Sequence, residues 1–151
     1  MEKLNPLLML LTGLIAVSCA DRRQKLDFET YQKAERDFAV LYASEDDVAA
    51  ERALLDFRNR LIDWQQHGVT LLDYYHLIGL TDARLHILYA QRGDSARADK
   101  FFNSCTNYFI QGAIRRSAEV SLISTGEVQK AVAFADADIQ PKWRAKHING
   151  R

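Results

Sequence analysis

From Leu26 onward the apolar residues of this chain return every three or four positions and never settle into sustained two-residue alternation. That period is the mark of helices that each bury one face, so the fold class expected is all-α. No proline falls between Pro6 and Pro141, so nothing in the intervening sequence forbids helix by its ring. Phe28, Tyr31, Phe38, Leu41 and Tyr42 make a first stripe. A second opens at Ser44, whose spacing to Asp47 resembles a capping box, and runs through Leu54, Phe57, Leu61 and Trp64 to Gly68, a natural stop. Thr70 to Asp73 repeats the capping signal and starts a third, which continues to Arg92 before Gly93. Asp94 or Ser95 caps a fourth, carrying Ala98, Phe101, Phe102, Cys105, Tyr108 and Phe109 toward Gly112. A fifth segment over Ala113–Ile123 and a sixth over Glu127–Ile139 are separated by "STG", and Pro141 closes the series. The count is six helices, or seven if "PKWRAKH" adds a last turn.

Consecutive helices joined by so few residues must pack as antiparallel neighbours, because a short loop cannot carry the chain elsewhere. Such hairpins can close into a bundle or stack as repeats. In "LHILYAQRGDSARADKFFNSC", residues 85–105, Tyr89, Gly93, Ala98, Phe102 and Cys105 follow one another at steps of 4, 5, 4 and 3. The glycine permits the turn, Ala98 lets two helices approach closely, and Tyr89 with Phe102 fills the space beside them. In these positions the segment resembles the tetratricopeptide repeat, a helix hairpin of about 34 residues. Leu122, Gly126, Ala131 and Ala135 echo the first three steps, and Tyr42 with Ala53 and Phe57 suggests a third unit. Asp82, His86 and Ile110 depart from the repeat's usual residues. The resemblance implies a short α-solenoid of stacked hairpins over residues 26–141, with a closed helical bundle as the alternative; it also implies a concave, helix-lined surface that holds a partner.

The N-terminus reads differently. Leu7 to Val17 is an apolar run of 11 residues, about 16 Å as a helix, where a bilayer core needs roughly 20 residues. It is preceded by a short polar start with Lys3 and followed by the small residues Ala16, Val17 and Ser18, then Cys19. This layout resembles the signal of bacterial lipoproteins, whose cysteine is acylated, palmitate being a typical chain, and becomes the first mature residue. Ala16 stands where that family usually has Leu, and Glu2 dilutes the positive start. The resemblance implies removal of residues 1–18, a lipid on Cys19, and residues 19–25 as anchor and short tether. Ala20, being a residue other than Asp after the cysteine, implies the outer membrane, with the domain on its periplasmic face. Arg22, Arg23 and Lys25 lie within reach of headgroup phosphates.

Taking 18 residues from 151 leaves 133, enough for one core and too few for two. Lys and Arg number 20 against 20 Asp and Glu, so wholesale nucleic-acid binding is not expected. With Cys19 committed to lipid, Cys105 has no partner within the chain; plain secretion would leave a Cys19 to Cys105 bridge open.

The motifs of the familiar hydrolase, redox and nucleotide-binding classes (CxxC, HExxH, GxSxG, SxxK, a glycine-rich loop) do not occur. Asp73, His76, Asp82 and His86 on one predicted helix make the alternative of a metal or acid–base site. His76 and His86 would stand about 15 Å apart along it, too far to share a zinc ion without a kink at Gly79. His86 is expected to bond Asp82 one turn earlier, and Cys105 to be a small core residue. Tyr74, Tyr75 and His76 in "DYYHL", and Lys142, Trp143 and Arg144 in the basic stretch 142–151, are the candidate partner contacts, with Trp143 as an apolar anchor. The function these readings support is noncatalytic: a membrane-anchored lipoprotein without cofactor or metal, serving as a protein-interaction scaffold or a pilot-like assembly accessory for an envelope protein or peptide. Self-association is a second expectation, and a helical small-ligand or lipid binder the remaining alternative.

Overall fold

The computed structural model describes residues 28–68, 73–120 and 122–144. The expected signal, Cys19, the basic tether, Thr70, Lys146 and Arg151 lie outside them. The fold is all-α. Among the described residues five helices follow one another: α1 (Phe28–Tyr42), α2 (Asp47–Gln66), α3 (Tyr74–Gln91), α4 (Ser95–Arg115) and α5 (Thr125–Ala135).

Each boundary has a local cause. Asp46 caps α2, its carboxylate accepting from the Val48 N–H at 2.9 Å; Ser44, expected to open this helix, donates instead to the Asp46 carbonyl at 3.1 Å. Asp73 and Asp94 cap α3 and α4 through the His76 and Arg97 N–H groups. Ser124 and Glu127 form a reciprocal capping box at α5. Between α3 and α4, Gly93 takes φ +76°. That left-handed step lets the Asp94 N–H reach the Tyr89 carbonyl at 2.9 Å and close the Schellman turn.

The structure corrects four expectations about the elements. Gly112 does not end a helix: it is buried inside α4, where an added Cβ would lie 3.0 Å from Tyr75, so its smallness serves helix packing rather than a turn. No separate helix forms over 113–123: residues 113–115 are the last turn of α4, and 116–120 and 122–123 are non-helical. Ile114, Val120 and Leu122 are spaced six and two apart, share no helical stripe and are all exposed. The echo of the repeat at Leu122, Gly126, Ala131 and Ala135 does not form a turn either, because Leu122 is outside any helix and Gly126 lies in the first turn of α5. α5 stops at Ala135, short of Ile139, where Asp136 turns inward.

α3 is the central rod, packed against α2, α4 and α5, while α1 pairs with α2. The larger core joins Tyr31, Phe38 and Tyr42 of α1 to Leu54, Phe57 and Leu61 of α2 and to Ile78, Leu85 and Leu88 of α3. A smaller one sets Val128 and Val132 of α5 on Leu80, Ala83 and Cys105. At Gly79 an added Cβ would stand 2.7 Å from the Phe109 ring; this glycine therefore sets how closely α3 and α4 approach. The chain then returns to its beginning. The Lys142 and Trp143 N–H groups donate to the Ala43 and Ser44 carbonyls at 3.3 and 3.2 Å, so stacked hairpins are closed by a C-terminal segment that meets the first loop.

Candidate functional site

A helix buried almost all round has no solvent face on which to put its polar residues, and α3 carries Asp82, Arg84 and His86. Residues two apart on a helix point to nearly opposite sides. Asp82, fully buried, accepts from Arg58 Nε of α2 at 2.5 Å and Nη2 at 3.3 Å, and from Ser104 Oγ of α4 at 2.6 Å. Arg84 turns the other way, donating from Nε and Nη2 to Asp136 Oδ1 at 2.9 and 2.7 Å.

Asp136 is the centre of that second cluster. Its Oδ2 accepts from the Tyr42 hydroxyl at 2.8 Å and from Arg144 Nη2 at 2.6 Å, and Arg144 Nη2 also donates to the Tyr42 oxygen at 3.0 Å. The Arg84 guanidinium stands 5.3 and 5.2 Å from the Phe38 and Tyr42 ring centres, close enough for cation–π attraction. Burial, with the Asp136 charge beside it, pushes the Tyr42 phenol well above its ordinary value and keeps it neutral. Trp143 is fully buried edge-on to Tyr42 at 5.8 Å. Its indole N–H meets no acceptor among the described residues. The cluster therefore fastens the end of α1, the middle of α3 and the segment after α5 through one carboxylate.

A third cluster sits at the Gly93 turn. Glu51 accepts from the Tyr89 hydroxyl at 2.5 Å and from Arg92, with Arg97 at 3.4 Å, and Arg92 also meets Asp47 at 2.8 Å. Burial raises the Glu51 carboxyl, but the Tyr89 and Arg92 hydrogen bonds and the two guanidiniums outweigh it and hold Glu51 below the usual range.

The five repeat positions come together at the α3–α4 hairpin. Tyr89, Ala98 and Cys105 are buried, Gly93 makes the turn, and half-buried Phe102 lies 5.2 Å from the His86 ring. His86 does not bond Asp82 as expected, because Arg58 and Ser104 already occupy that carboxylate. Its Nδ1 lies 3.0 Å from the Ala98 carbonyl and carries the hydrogen there. Cys105 donates to the Phe102 carbonyl at 3.1 Å; burial, then the Asp82 charge, push its thiol up to about 12. A thiolate nucleophile is not formed at neutral pH.

The candidate partner contacts divide. Tyr74 and Trp143 are buried, and Arg144 belongs to the Asp136 cluster. Tyr75 is half-buried beside Tyr108 with Arg115 over its ring at 4.8 Å, while His76 and Lys142 are exposed. Trp143 cannot serve as an outward anchor in this conformation, nor does the expected tail begin at 142, since Lys142 to Arg144 are part of the packed fold. The residues that sequence reasoning missed are Arg58, Arg84 and Asp136. Only Arg84 had a signal, in "LTDARLHIL", where charges interrupt a helix that otherwise has no polar side; Arg58 and Asp136 lie on amphipathic or loop sequence where a charge is ordinary.

No described helix is long and apolar enough to cross a membrane. Among the described residues no group of three or more His, Cys, Asp or Glu side chains is placed to hold a metal ion. A shallow open groove runs between α1 and α2, lined by Ala34, Phe38, Ala53 and Phe57. Comparison of the chain with family models, with curated proteins and with solved structures finds no match.

Proposed function

We propose that this chain is a noncatalytic lipoprotein, anchored through Cys19 to the periplasmic face of the outer membrane, whose helical domain holds a protein or peptide partner during envelope assembly. The N-terminal pattern supports the anchor. The observation that carries the interaction reading is the last helix: α5 rests on α3, yet Phe134 on its outer side is 88% exposed and Leu122 before it 95%. An aromatic side chain left almost wholly in water is a surface that a partner can cover. The buried charges support the same reading from the other side, because each is paired within the fold and serves to fix helices rather than to meet a substrate.

Two measurements test it. The mature N-terminal peptide, isolated from membranes of the producing cell, should begin at Cys19 and carry acyl chains; an intact Met1 or an unmodified cysteine would overturn the anchor. A photocrosslinking residue at Phe134 should trap one dominant envelope protein, or a second copy of this chain, whereas the same residue at exposed Glu29 should not. Equal, diffuse labelling from both positions would remove the scaffold reading.

A further inference from the structure

We propose that residues 125–144 act as an internal ligand, a strap laid over α1, α3 and α4, and that the surface beneath receives an acidic, aromatic peptide segment of the partner, which displaces the strap. This rests on the reading of the domain as a partner-binding module: the partner first meets the strap at Phe134 on its outer side, and its peptide segment then seats on the surface beneath.

The strap is held in an unusual way for part of a core. α5 contributes only Val128 and Val132 as buried apolar side chains, and most of its other positions face water. The remaining attachment is one carboxylate, Asp136, one ring, Trp143, a hydrogen bond from Arg144 to the Tyr42 oxygen at 3.0 Å, the partly buried Ala135 and Ile139, and two main-chain bonds of 3.3 and 3.2 Å to the first loop. The larger core beneath is built from α1 to α4 and takes from the strap only Trp143 and the edge of Ile139. The leading stretch, 116–120 and 122–124, is non-helical and nearly all exposed, unlike the tight turn at Gly93.

What the strap covers has a definite chemistry. Tyr42 supplies an aromatic wall, Leu80 and Ala83 a shallow apolar floor, and Arg84 a buried guanidinium beside them. With the strap displaced, Arg84 loses its anion while still standing over the Phe38 and Tyr42 rings, so this face favours an occupant that brings a carboxylate. The slot beside Tyr42 takes an aromatic ring. The strap fills both imperfectly: the Trp143 indole N–H and Arg144 Nε are buried without acceptors among the described residues. Orphaned donors weaken an occupant, and an external segment with a carboxylate and a phenyl ring avoids them. The strap thus sets a threshold: it shields the aromatic wall until a segment that pairs better arrives.

The test uses the full chain and a fluorescent peptide copying residues 132–144, VAFADADIQPKWR, read by anisotropy. A chain carrying Asp136→Asn and Trp143→Ala, which loosens its own strap, should bind the peptide at least tenfold more tightly than the wild type. The same peptide made with Asp136→Asn should lose at least tenfold. Equal binding by both chains, or binding indifferent to the peptide's carboxylate, would overturn the proposal. Because the doubly substituted chain could lose more than its strap, the wild type is also followed by amide exchange. Residues 126–135 should open at least tenfold more often than 80–89, and equal protection would refute a separable strap. Peptide binding with no trapped envelope protein would count against the scaffold reading alone; a trapped protein without peptide binding would count against the strap alone.

Discussion

A thiol enclosed by Phe102, Leu80 and Val128 behaves as a small apolar side chain, and Cys105 shows what that does to its titration. The group ordinarily ionises near 9.0 and is pushed up to about 12 in the fold. Below pH 9 the folded and unfolded chains both keep the proton; between 9 and 12 only the folded chain does, so stability falls as pH rises through that window. The raised phenols of Tyr31 and Tyr42 act in the same direction. Urea midpoints measured from pH 8 to 10.5 should therefore decline, and Cys105→Ala should make the decline shallower by about one proton. At pH 7.5 a thiol reagent should label wild-type Cys105 no faster than the chain unfolds. Trp143 gives a second case at this scale. Trp143→Ala leaves a large void and should cost about 3–5 kcal/mol. Trp143→Phe keeps the ring against Tyr42 and removes an unpaired N–H, so urea titration should show a smaller loss. Cys105 was legible because its three- and four-residue spacing to Phe102 and Phe109 assigns it to the apolar stripe. Trp143 was not: it stands among cations, and only a contact more than a hundred residues back along the chain, with Tyr42, buries it.

Glycine decides two kinds of outcome at the scale of the element, a turn at Gly93 and a close helix approach at Gly79 and Gly112. Gly93 was readable as a turn because a repeat-like spacing surrounds it, and φ +76° bears that reading out. Gly112 resembles a stop in sequence, yet Tyr75 of the neighbouring helix fixes its role, and no local pattern shows Tyr75. At Gly79 an alanine gains helix propensity of about 1 kcal/mol. It also sets a methyl 2.7 Å from the Phe109 ring. Overpacking of that kind costs about 1–3 kcal/mol, so Gly79→Ala should lower stability on balance, and Phe109→Leu in the same chain should recover part of the loss in a thermal melt. The end of α4 offers the opposite case. There the Ala118 N–H reaches the Ala113 carbonyl at 2.9 Å through Ser117, which adopts φ +52° where the equivalent turn after α3 has glycine. A side chain in the left-handed region is strained by roughly 1–2 kcal/mol. Ser117→Gly should therefore raise the melting temperature, and Ser117→Ala should not.

At the scale of the whole molecule, one carboxylate decides whether the described helices behave as one cooperative unit. The all-α class and the α1 to α4 order were readable from the sequence, because α1, α2 and α4 carry apolar stripes and α2, α3 and α4 open on capping residues. The closure was not, since Asp136 meets Tyr42 and Arg84 across separations of 94 and 52 residues and nothing near "FADADIQ" names those partners. Replacing Asp136 by Asn keeps the size and removes the charge, leaving Arg84 buried with a neutral acceptor. Breaking one side of a buried pair costs about 3–5 kcal/mol when the other charge stays unpaired, and here the segment carrying the carboxylate has two buried valines and one tryptophan to resist release. The loss should therefore appear as local opening before global unfolding. In a Trp64→Phe background Trp143 is the sole indole reporter. With Asp136→Asn added, its emission should shift to the red at lower urea than the main loss of helical ellipticity, which reports α1 to α4. Without that substitution the two transitions should lie closer together. Coincident transitions in the substituted chain would mean that α5 and the return segment are as integral to the core as α3, and the ends of the fold would then be joined by its apolar contacts rather than by Asp136.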